Sequence, residues 1–150
     1  MKNPRTSLSH KILPAVGDGN LVLWRKKSKG LAKVGLLTGC FDLLHHGHLD
    51  LILQADQLCD TLIVAINMDP SVQRLKGGDR PIVPLFHRLK MLAAIEAVDY
   101  VTHFPGDRVT ATIKAITPHV WMKGGDYTVE TLNKQEVAAA RQVKAKNIVS

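Results

Sequence analysis

The sequence has few aromatic residues and few cysteines. Two Trp, two Tyr and three Phe among 150 residues leave a core that must consist mainly of Leu, Ile, Val and Ala. A protein that binds single-stranded nucleic acid by stacking its bases needs several exposed rings, so this class is disfavoured. The two cysteines, Cys40 and Cys59, are too few to form a metal cage alone. We expect them to be reduced thiols in a cytoplasmic protein.

Long apolar runs are also missing. The apolar stretches, such as residues 62–66, are far shorter than the about 20 residues that cross a bilayer. No apolar block of signal-peptide length follows the basic start of the chain. We therefore expect no membrane partner. With 150 residues and an apolar fraction of 45%, the chain fits one domain that needs no disulfide or metal to hold its core.

Acidic residues are scarce at the start of the chain. Residues 1–33 hold eight Lys and Arg against the single acid Asp18, which accounts for the whole formal net charge of +7. A nucleic-acid-binding domain should carry its excess charge on a folded face, so we expect no nucleic-acid partner. The charge distribution predicts a loosely packed basic arm at residues 1–33, with a short helix at residues 20–29, and a globular domain at residues 34–150.

Short apolar runs alternate with amphipathic segments in the second part of the chain. The apolar runs predict five strands, at residues 34–38, 62–66, 100–103, 119–122 and 147–149. Helical spacing predicts helices near residues 49–58, 85–98, 109–116 and 133–144. Residues 67–70 are predicted as a polar turn, and residues 74–84, rich in Gly, Pro and charge, as a surface loop. This alternation is typical of an α/β fold with one doubly wound parallel sheet.

The most informative segment is TGCFDLLHHGH at residues 38–48, between a predicted strand and a predicted helix. Backbone N–H groups at a helix start form a ready anion site, and Gly39 and Gly47 let the chain approach a ligand closely. His45 and His48 are three residues apart, so both can face one ligand, whereas His46 is expected to point elsewhere. Two imidazoles that donate to phosphate oxygens would stabilise the charge of a nucleotidyl transfer. A metal site and an ordinary polar loop are the alternatives.

Three further positions at the same predicted sheet edge carry charge. Lys76 lies in a predicted loop with two glycines, and such a mobile loop suits closure over a triphosphate; a solvated loop is the alternative. Arg88 lies near a helix start, where its charge opposes the dipole, which indicates either an anionic ligand or a surface acid. Lys123 follows a predicted strand and precedes two glycines. Asp42 is expected either to orient a histidine or substrate or to cap a turn.

Residues 38–48 resemble the signature of the nucleotidyltransferase superfamily, whose hallmark is His-x-Gly-His, here HHGH at residues 45–48. The segments SVQRLKG, RPIVP, AAIEAVDYV and MKGGDY follow in order. This set is most similar to the bacterial D-glycero-β-D-manno-heptose 1-phosphate adenylyltransferases, over residues 30–150. The resemblance implies a Rossmann-like fold and transfer of AMP from ATP to the sugar 1-phosphate, with ADP-heptose as the product for the lipopolysaccharide inner core. It also implies Mg²⁺ bridging the ATP phosphates, a homodimer, and a sugar-kinase partner.

The residues and the resemblance together give a set of candidate site residues, with no metal ligand among them. The expected catalytic residues are His45, His48 and Lys76. Those expected to bind the nucleotide or its phosphates are Gly39, Cys40, Phe41, Gly47, Arg88 and Lys123, of which Cys40 and Phe41 would contribute backbone. Those expected to bind the acceptor substrate are Asp42, Asn67, Asp69, Gly125 and Asp126.

Two departures from the family pattern affect what we expect. Thr38 stands where the family often has Asn, which alters one polar contact. Members usually continue past the fifth strand into a Ser/Thr-rich segment that helps hold the nucleotide, whereas this sequence ends at Ser150. We therefore expect the choice between ATP and CTP to be the weakest feature. The alternatives are a cytidylyltransferase acting on glycerol 3-phosphate or a similar alcohol phosphate, and a non-catalytic nucleotide-binding module.

Overall fold

The computed structural model describes residues 8–125 and 129–149 and contains one sheet flanked by helices. The strands are β1 (Val34–Gly39), β2 (Thr61–Asn67), β3 (Tyr100–Phe104), β4 (Val120–Lys123) and β5 (Lys146–Val149). The helices are α1 (Asn20–Lys27), α2 (His46–Asp56), α3 (Asp69–Lys76), α4 (Leu85–Ala93), α5 (Thr110–Ile116) and α6 (Lys134–Gln142). Short 3₁₀ turns lie at Ser9–Lys11 and Val129–Thr131.

All five strands run parallel in the order β3-β2-β1-β4-β5, which confirms the predicted doubly wound α/β fold. In the central strand, Leu37 lies between Val64 of β2 and Met122 of β4. The chain proceeds from β1 to one side of the sheet and later crosses to the other side. A ligand crevice forms where the strand order reverses, beyond the carboxyl ends of the strands. Here that point is the end of β1.

The core is divided between the two faces of the sheet. Leu36 and Trp121 pack on one face, in a cluster that includes residues of α1, α5 and α6. Leu37 and Met122 pack on the other face, with α2 and α4. Adjacent residues of a strand point to opposite faces, so a strand covered on both sides is apolar along its length. The runs VGLLT and TLIVAIN are therefore buried throughout, which fixes the end of β1 rigidly.

The N-terminal segment packs on the domain, which differs from the loosely packed arm that its composition predicted. Leu13 and Leu21 are buried in the core. Ile12 forms a parallel bridge with Val101 at the edge of the sheet. The Lys11 ammonium contacts three backbone carbonyls near the end of α4, and Arg25 donates to the Ile116 carbonyl at 2.6 Å. Two of the basic residues thus serve the fold itself.

Two of the secondary-structure predictions are wrong. Residues 69–76 form α3, where the sequence predicted a turn running into a loop. Pro70 lies in the first turn of α3, where its missing N–H costs nothing, so the residues of the expected turn start a helix. The helix predicted at 85–98 ends at Ala93, and residues 94–98 form turns that lead into β3. Among the described residues, no helix is long and apolar enough to cross a membrane.

Candidate active site

A pocket of about 430 Å³ lies at the carboxyl end of β1. The loop after β1 and the first turn of α2 form one wall, the end of α3 and the following loop form another, and the glycines after β4 close the site. Eight of the sequence-predicted site residues lie together here with four others. Within residues 8–125 and 129–149, the lining consists of Gly39, Cys40, Phe41, Asp42, Leu43, His45, His48, Leu51, Lys76, Arg80, Gly124 and Gly125.

The two motif histidines are held by the helix that they begin. His45 is the N-cap of α2, and its Nδ1 accepts the Gly47 N–H at 3.1 Å. Nδ1 of His48 accepts the His45 N–H at 3.3 Å, and the two rings stack with centroids 3.9 Å apart. Because each Nδ1 acts as an acceptor, the hydrogen-bond geometry assigns the proton of each neutral ring to Nε2. The helix start thus presents two imidazole Nε2–H donors at one wall.

The environment of His48 favours its neutral form. Burial lowers the pKa of His48, and the neighbouring His45 ring acts in the same direction. Lys76 lowers it further, whereas the nearby Leu43 backbone opposes these effects. A neutral donor at pH 7 can bind a phosphate oxygen without transferring a proton to it. His46 lies outside this arrangement, as predicted, since it faces Asp50 on the exposed side of α2.

The glycines of the motif make room for its own rings. A Cβ at Gly47 would stand 2.9 Å from Cε1 of His45, and a Cβ at Gly39 would stand 2.9 Å from a ring carbon of Phe41. Phe41 is buried with a φ of 47°, in the left-handed region that a bulky residue rarely adopts. Its ring lies 5.2 Å from the His48 ring, centroid to centroid. Backbone strain at Phe41 therefore accompanies the placement of His48.

Asp42 ties the loop before α4 to the motif. Its buried carboxylate accepts the Arg80 Nε at 2.6 Å and the N–H groups of Ile82 and Val83. Burial would raise the pKa of Asp42, but the two N–H groups and Arg80 outweigh it and hold the pKa below its usual range. The sequence left two roles open for Asp42, orienting a histidine or substrate and capping a turn, and the observed contacts correspond fully to neither. The carboxylate fastens residues 80–83, and with them Arg80, to the pocket wall.

Arg88 is not the phosphate ligand that we expected; of the two partners that the sequence left open, the structure shows an acid, Asp69. The Arg88 side chain is fully buried beneath the pocket. The guanidinium donates to the carbonyls of Cys40, Asn67 and Val83 and forms an ion pair with Asp69 at 2.5 Å. Protein acceptors thus occupy the donors that we expected to reach the β and γ phosphates. Arg88 holds the loop after β1, the end of β2 and the loop before α4 together, and Asp69 serves as its counter-charge.

Asn67 is also buried, at the end of β2. Its amide nitrogen donates to the Ser71 hydroxyl at 3.0 Å, and its amide oxygen accepts the Cys40 thiol at 3.6 Å. Burial raises the pKa of the Cys40 thiol, although the nearby Lys and Arg residues oppose the shift. The Ser71 hydroxyl continues the chain of hydrogen bonds to Asp107, which also binds Arg74. This network fixes the end of β2 against the start of α3 and the loop after β3.

A second, smaller pocket of about 120 Å³ adjoins the first. The two share Gly39, Cys40, Lys76 and Gly124, so Lys76 faces both. Lys123 lines the smaller pocket, and its ammonium lies 2.9 Å from Oε2 of the buried Glu136. The other lining residues are Thr38, Asn67, Leu75, Phe104, Asp107, Arg108, Val109 and Glu136.

Sequence reasoning missed three charged residues of this smaller pocket. Asp107 and Arg108 lie in the loop after β3, whose sequence FPGDR reads only as a turn. Glu136 is one acid in the mostly polar helix α6, and its partner Lys123 is distant along the chain. Only the expectation that ligands bind beyond the ends of parallel strands could have pointed to the loop after β3. Asp126 lies outside the described residues.

Comparison with known proteins agrees with this geometry. Residues 36–148 match the cytidylyltransferase-like family. The bifunctional protein HldE of Rhodopseudomonas palustris (strain BisB5) is 44% identical over 140 residues, which cover 92% of this chain and 28% of that protein. The bifunctional protein HldE of Methylococcus capsulatus is 55% identical over 95 residues, 63% of this chain and 20% of that protein. The chain spans about a quarter of the length of these curated relatives.

Solved structures share the fold at lower sequence identity. A lipopolysaccharide core biosynthesis protein from Thermoplasma volcanium superposes with a TM-score of 0.62 at 21% identity, over 79% of this chain and 93% of that chain. Pantoate-beta-alanine ligase from Francisella tularensis superposes with a TM-score of 0.57 at 20% identity, over 93% of this chain and 66% of that chain. At these identities the likeness supports the fold alone. The match of the family to most of the chain, together with the His-x-Gly-His site, identifies the chain as a nucleotidyltransferase domain of the cytidylyltransferase-like family.

Proposed function

We propose that this domain transfers AMP from ATP to D-glycero-β-D-manno-heptose 1-phosphate, forming ADP-heptose and pyrophosphate for the lipopolysaccharide inner core. The observation that carries the proposal is the stacked pair His45 and His48, which faces Lys76 across one pocket at the end of the central strand. The ordered motifs and the high identity to HldE proteins over this domain support the choice of substrates.

In the proposed reaction, an oxygen of the sugar phosphate attacks the α-phosphorus of ATP in line. A bond forms between that oxygen and the phosphorus, the bond from the α-phosphorus to the bridging oxygen breaks, and pyrophosphate leaves with the electron pair. A phosphate monoester is already anionic near neutral pH, so the step needs no general base. His45 and His48 would donate their Nε2–H groups to the phosphate oxygens that gain charge, and Lys76 would neutralise the leaving group.

The two pockets differ in volume and in their charged residues, and this difference suits two substrates of unequal size. The larger, of about 430 Å³, holds the histidines and two cations, Lys76 and Arg80, which suits the triphosphate. The smaller, of about 120 Å³, combines the cations Arg108 and Lys123 with carboxylate and amide acceptors, which suits a phosphate and sugar hydroxyls. Lys76 borders both and would lie beside the reacting phosphates. We expect Mg²⁺ to arrive with ATP and to be held by phosphate oxygens and water, with few protein ligands.

A sugar kinase is the expected source of the acceptor, because the substrate carries its phosphate on the anomeric oxygen. The name of the HldE relatives describes them as bifunctional, and they are about four times as long as the matched domain. We propose that such a kinase acts together with this domain. A homodimer is a further expectation, and sedimentation of the purified protein measures it directly.

A cytidylyltransferase acting on glycerol 3-phosphate is the second candidate, and the name of the matching family favours it. The deciding experiment measures pyrophosphate release from ATP and from CTP, each with heptose 1-phosphate and with glycerol 3-phosphate. We expect turnover with ATP and heptose 1-phosphate. Turnover confined to CTP and glycerol 3-phosphate would instead establish the second candidate. Nucleotide binding without release of pyrophosphate from any pair would identify a non-catalytic module.

Single variants test the roles of the histidines. His45→Ala and His48→Ala should each lower kcat by about 10²-fold or more, as the loss of one donor to a developing oxyanion does. His46→Ala is the matched control, since it removes an adjacent imidazole that is exposed and faces Asp50. Wild-type turnover in both His45→Ala and His48→Ala would contradict the assignment of this pocket to the phosphates.

A further inference from the structure

Glu136 joins two walls of the smaller pocket. It lies in the first turn of α6, and its side chain is 2% exposed. Oε2 lies 2.9 Å from the Lys123 ammonium at the end of β4. Oε1 accepts the Val109 N–H at 3.0 Å, at the start of α5. One carboxylate therefore sets the spacing between Lys123 and the loop that carries Asp107 and Arg108.

The energetics of the ion pair between Lys123 and Glu136 indicate a role other than stabilising the fold. Transfer of a carboxylate and an ammonium out of water costs several kcal/mol per ion, and well-packed apolar residues at such places are often equally or more stabilising. Lys123 is 14% exposed and Glu136 less, so both ions bear this cost. Apolar side chains that serve packing alone occur on the same helix, namely Ala139 and Ala140.

The flexible stem of lysine explains what the carboxylate adds. A lysine ammonium on four carbons has no fixed direction of its own. The Glu136 carboxylate holds it at the wall of a pocket that also contains Arg108 and Lys76. A charge held in place costs no reorganisation when the ligand reacts.

We infer that Glu136 is a positioning residue for the acceptor: it holds the Lys123 ammonium, and through Val109 the loop with Arg108, at the spacing that receives the phosphate of the sugar 1-phosphate. This inference rests on the proposed function and adds the residue that determines how the acceptor is held. Glu136 does not touch the reacting atoms itself.

Glu136→Gln is the test variant, because the amide oxygen retains an acceptor for the Val109 N–H while the charge toward Lys123 is lost. We expect kcat/KM for the sugar phosphate to fall by up to about 100-fold, the order that a 1 Å misplacement costs, with KM for ATP unchanged. The double variant K123M/E136Q should be no worse than K123M alone, since Glu136 acts through Lys123. If E136Q lowers kcat/KM for the sugar phosphate as much in the K123M background as in the wild type, the inference is overturned.

Stability is controlled separately. Ala139→Gly weakens the same helix by about 1 kcal/mol without touching the pocket, so its kinetic constants should match wild type. If E136Q does not fold, K123M/E136Q also removes the buried ammonium that has lost the Glu136 carboxylate, and this double variant should fold. Full acceptor affinity in that folded double variant would overturn the inference.

A binding measurement separates this inference from the proposed reaction. Isothermal titration calorimetry with inorganic phosphate requires no turnover. In this measurement, E136Q should bind phosphate more weakly than wild type. Equal phosphate affinities overturn the positioning role whatever the enzyme assay gives. Absence of pyrophosphate release from wild-type protein with ATP and heptose 1-phosphate would overturn the proposed reaction, whereas a weakened phosphate affinity in E136Q would still support the role of Glu136.

Discussion

The backbone N–H of His45 donates to Nδ1 of His48, and the two imidazole rings stack with centroids 3.9 Å apart. Because of this bond and the stacking, the residues that begin α2 also supply two imidazole Nε2–H donors. Protonation of Nδ1 on His48 would remove the acceptor of that bond and place a charge beside the second ring. The arrangement therefore favours a neutral His48.

The pKa of His48 should consequently lie below the ordinary value of about 6.5. The unfolded chain then takes up the proton at a higher pH than the folded chain. The contribution of His48 to stability is complete above about pH 6.5 and is lost as the pH falls toward the folded pKa. Titration of the His48 Cε1–H resonance by NMR measures this. In Lys76→Met the pKa should rise, since Lys76 lowers it, and an unchanged or lower value would contradict the placement of Lys76 near the ring.

Gly47→Ala separates activity from stability. A Cβ at this position would meet His45 at 2.9 Å, so the ring must move and its donor with it. Alanine is a better helix former than glycine by about 1 kcal/mol. We therefore expect the free energy of unfolding to fall by less than it does for a substitution in the core. We expect a kcat lowered by about 10²-fold. Gly30→Ala, where a Cβ meets nothing within 4 Å, is the control. Retained activity in Gly47→Ala would show that the position of the His45 ring is unimportant.

The strands and the main motif could be predicted because local pattern determines them. The buried runs of β1 and β2 have polar residues only at or next to their ends, and His-x-Gly-His begins six residues after the end of β1. Helix α3 could not be predicted, because only Ser71 and Val72 are buried in its eight residues and no apolar stripe results. Its boundaries are set by contacts that Ser71 and Arg74 make with Asp107, far along the chain.

Charged residues were the hardest to assign from the sequence. Arg88 has the type and position of a phosphate ligand, yet three carbonyl oxygens and Asp69 surround it. Glu136 carried no signal at all, since its role depends on Lys123 and Val109 in other elements. A residue type predicts which partners are chemically suitable, whereas the tertiary structure decides which of them is within reach.

Asp42→Ala should release the loop before α4. The change leaves the N–H groups of Ile82 and Val83 without their acceptor and costs about 2 kcal/mol in the free energy of unfolding. Arg80 loses its fixed position at the pocket wall, so KM for ATP should rise. Limited proteolysis with sequencing of the cleavage sites detects the released loop.

Asp79→Ala is the control for this variant, because it removes an exposed carboxylate from the same loop. Equal resistance to protease in the two variants would contradict the tether. For wild-type Asp42, whose folded pKa is lowered, the contribution to stability is complete above the unfolded pKa of about 3.9 and is lost as the pH falls through the folded pKa.

Lys11→Met should destabilise the fold without affecting catalysis. The ammonium donates to the carbonyls of Ala93 and Val98 at 3.0 and 2.8 Å and lies 3.4 Å from that of Ile95. Hydrogen bonds from a charged group contribute about 1.5–3 kcal/mol, and the loss should appear as a lower urea midpoint with an unchanged m-value. Lys27→Met, on the exposed face of α1, should leave the midpoint unchanged. Equal urea midpoints in the two variants would contradict a stabilising contact of this segment with the domain.

The placement of β1 at the centre of the sheet affects how the protein emerges from the ribosome. Backbone and side-chain contacts join Val34 to His119, 85 residues later, and β1 pairs with β4 along most of its length. A nascent chain that has released β1, β2 and β3 therefore has an apolar strand with one unpaired edge, the kind of edge on which other chains aggregate. The pocket beside the histidine loop stays open on the side of Gly124 and Gly125 until residues 120–125 have left the exit tunnel. The interval between the release of β3 and the release of β4 is thus the period in which this domain depends most on chaperones.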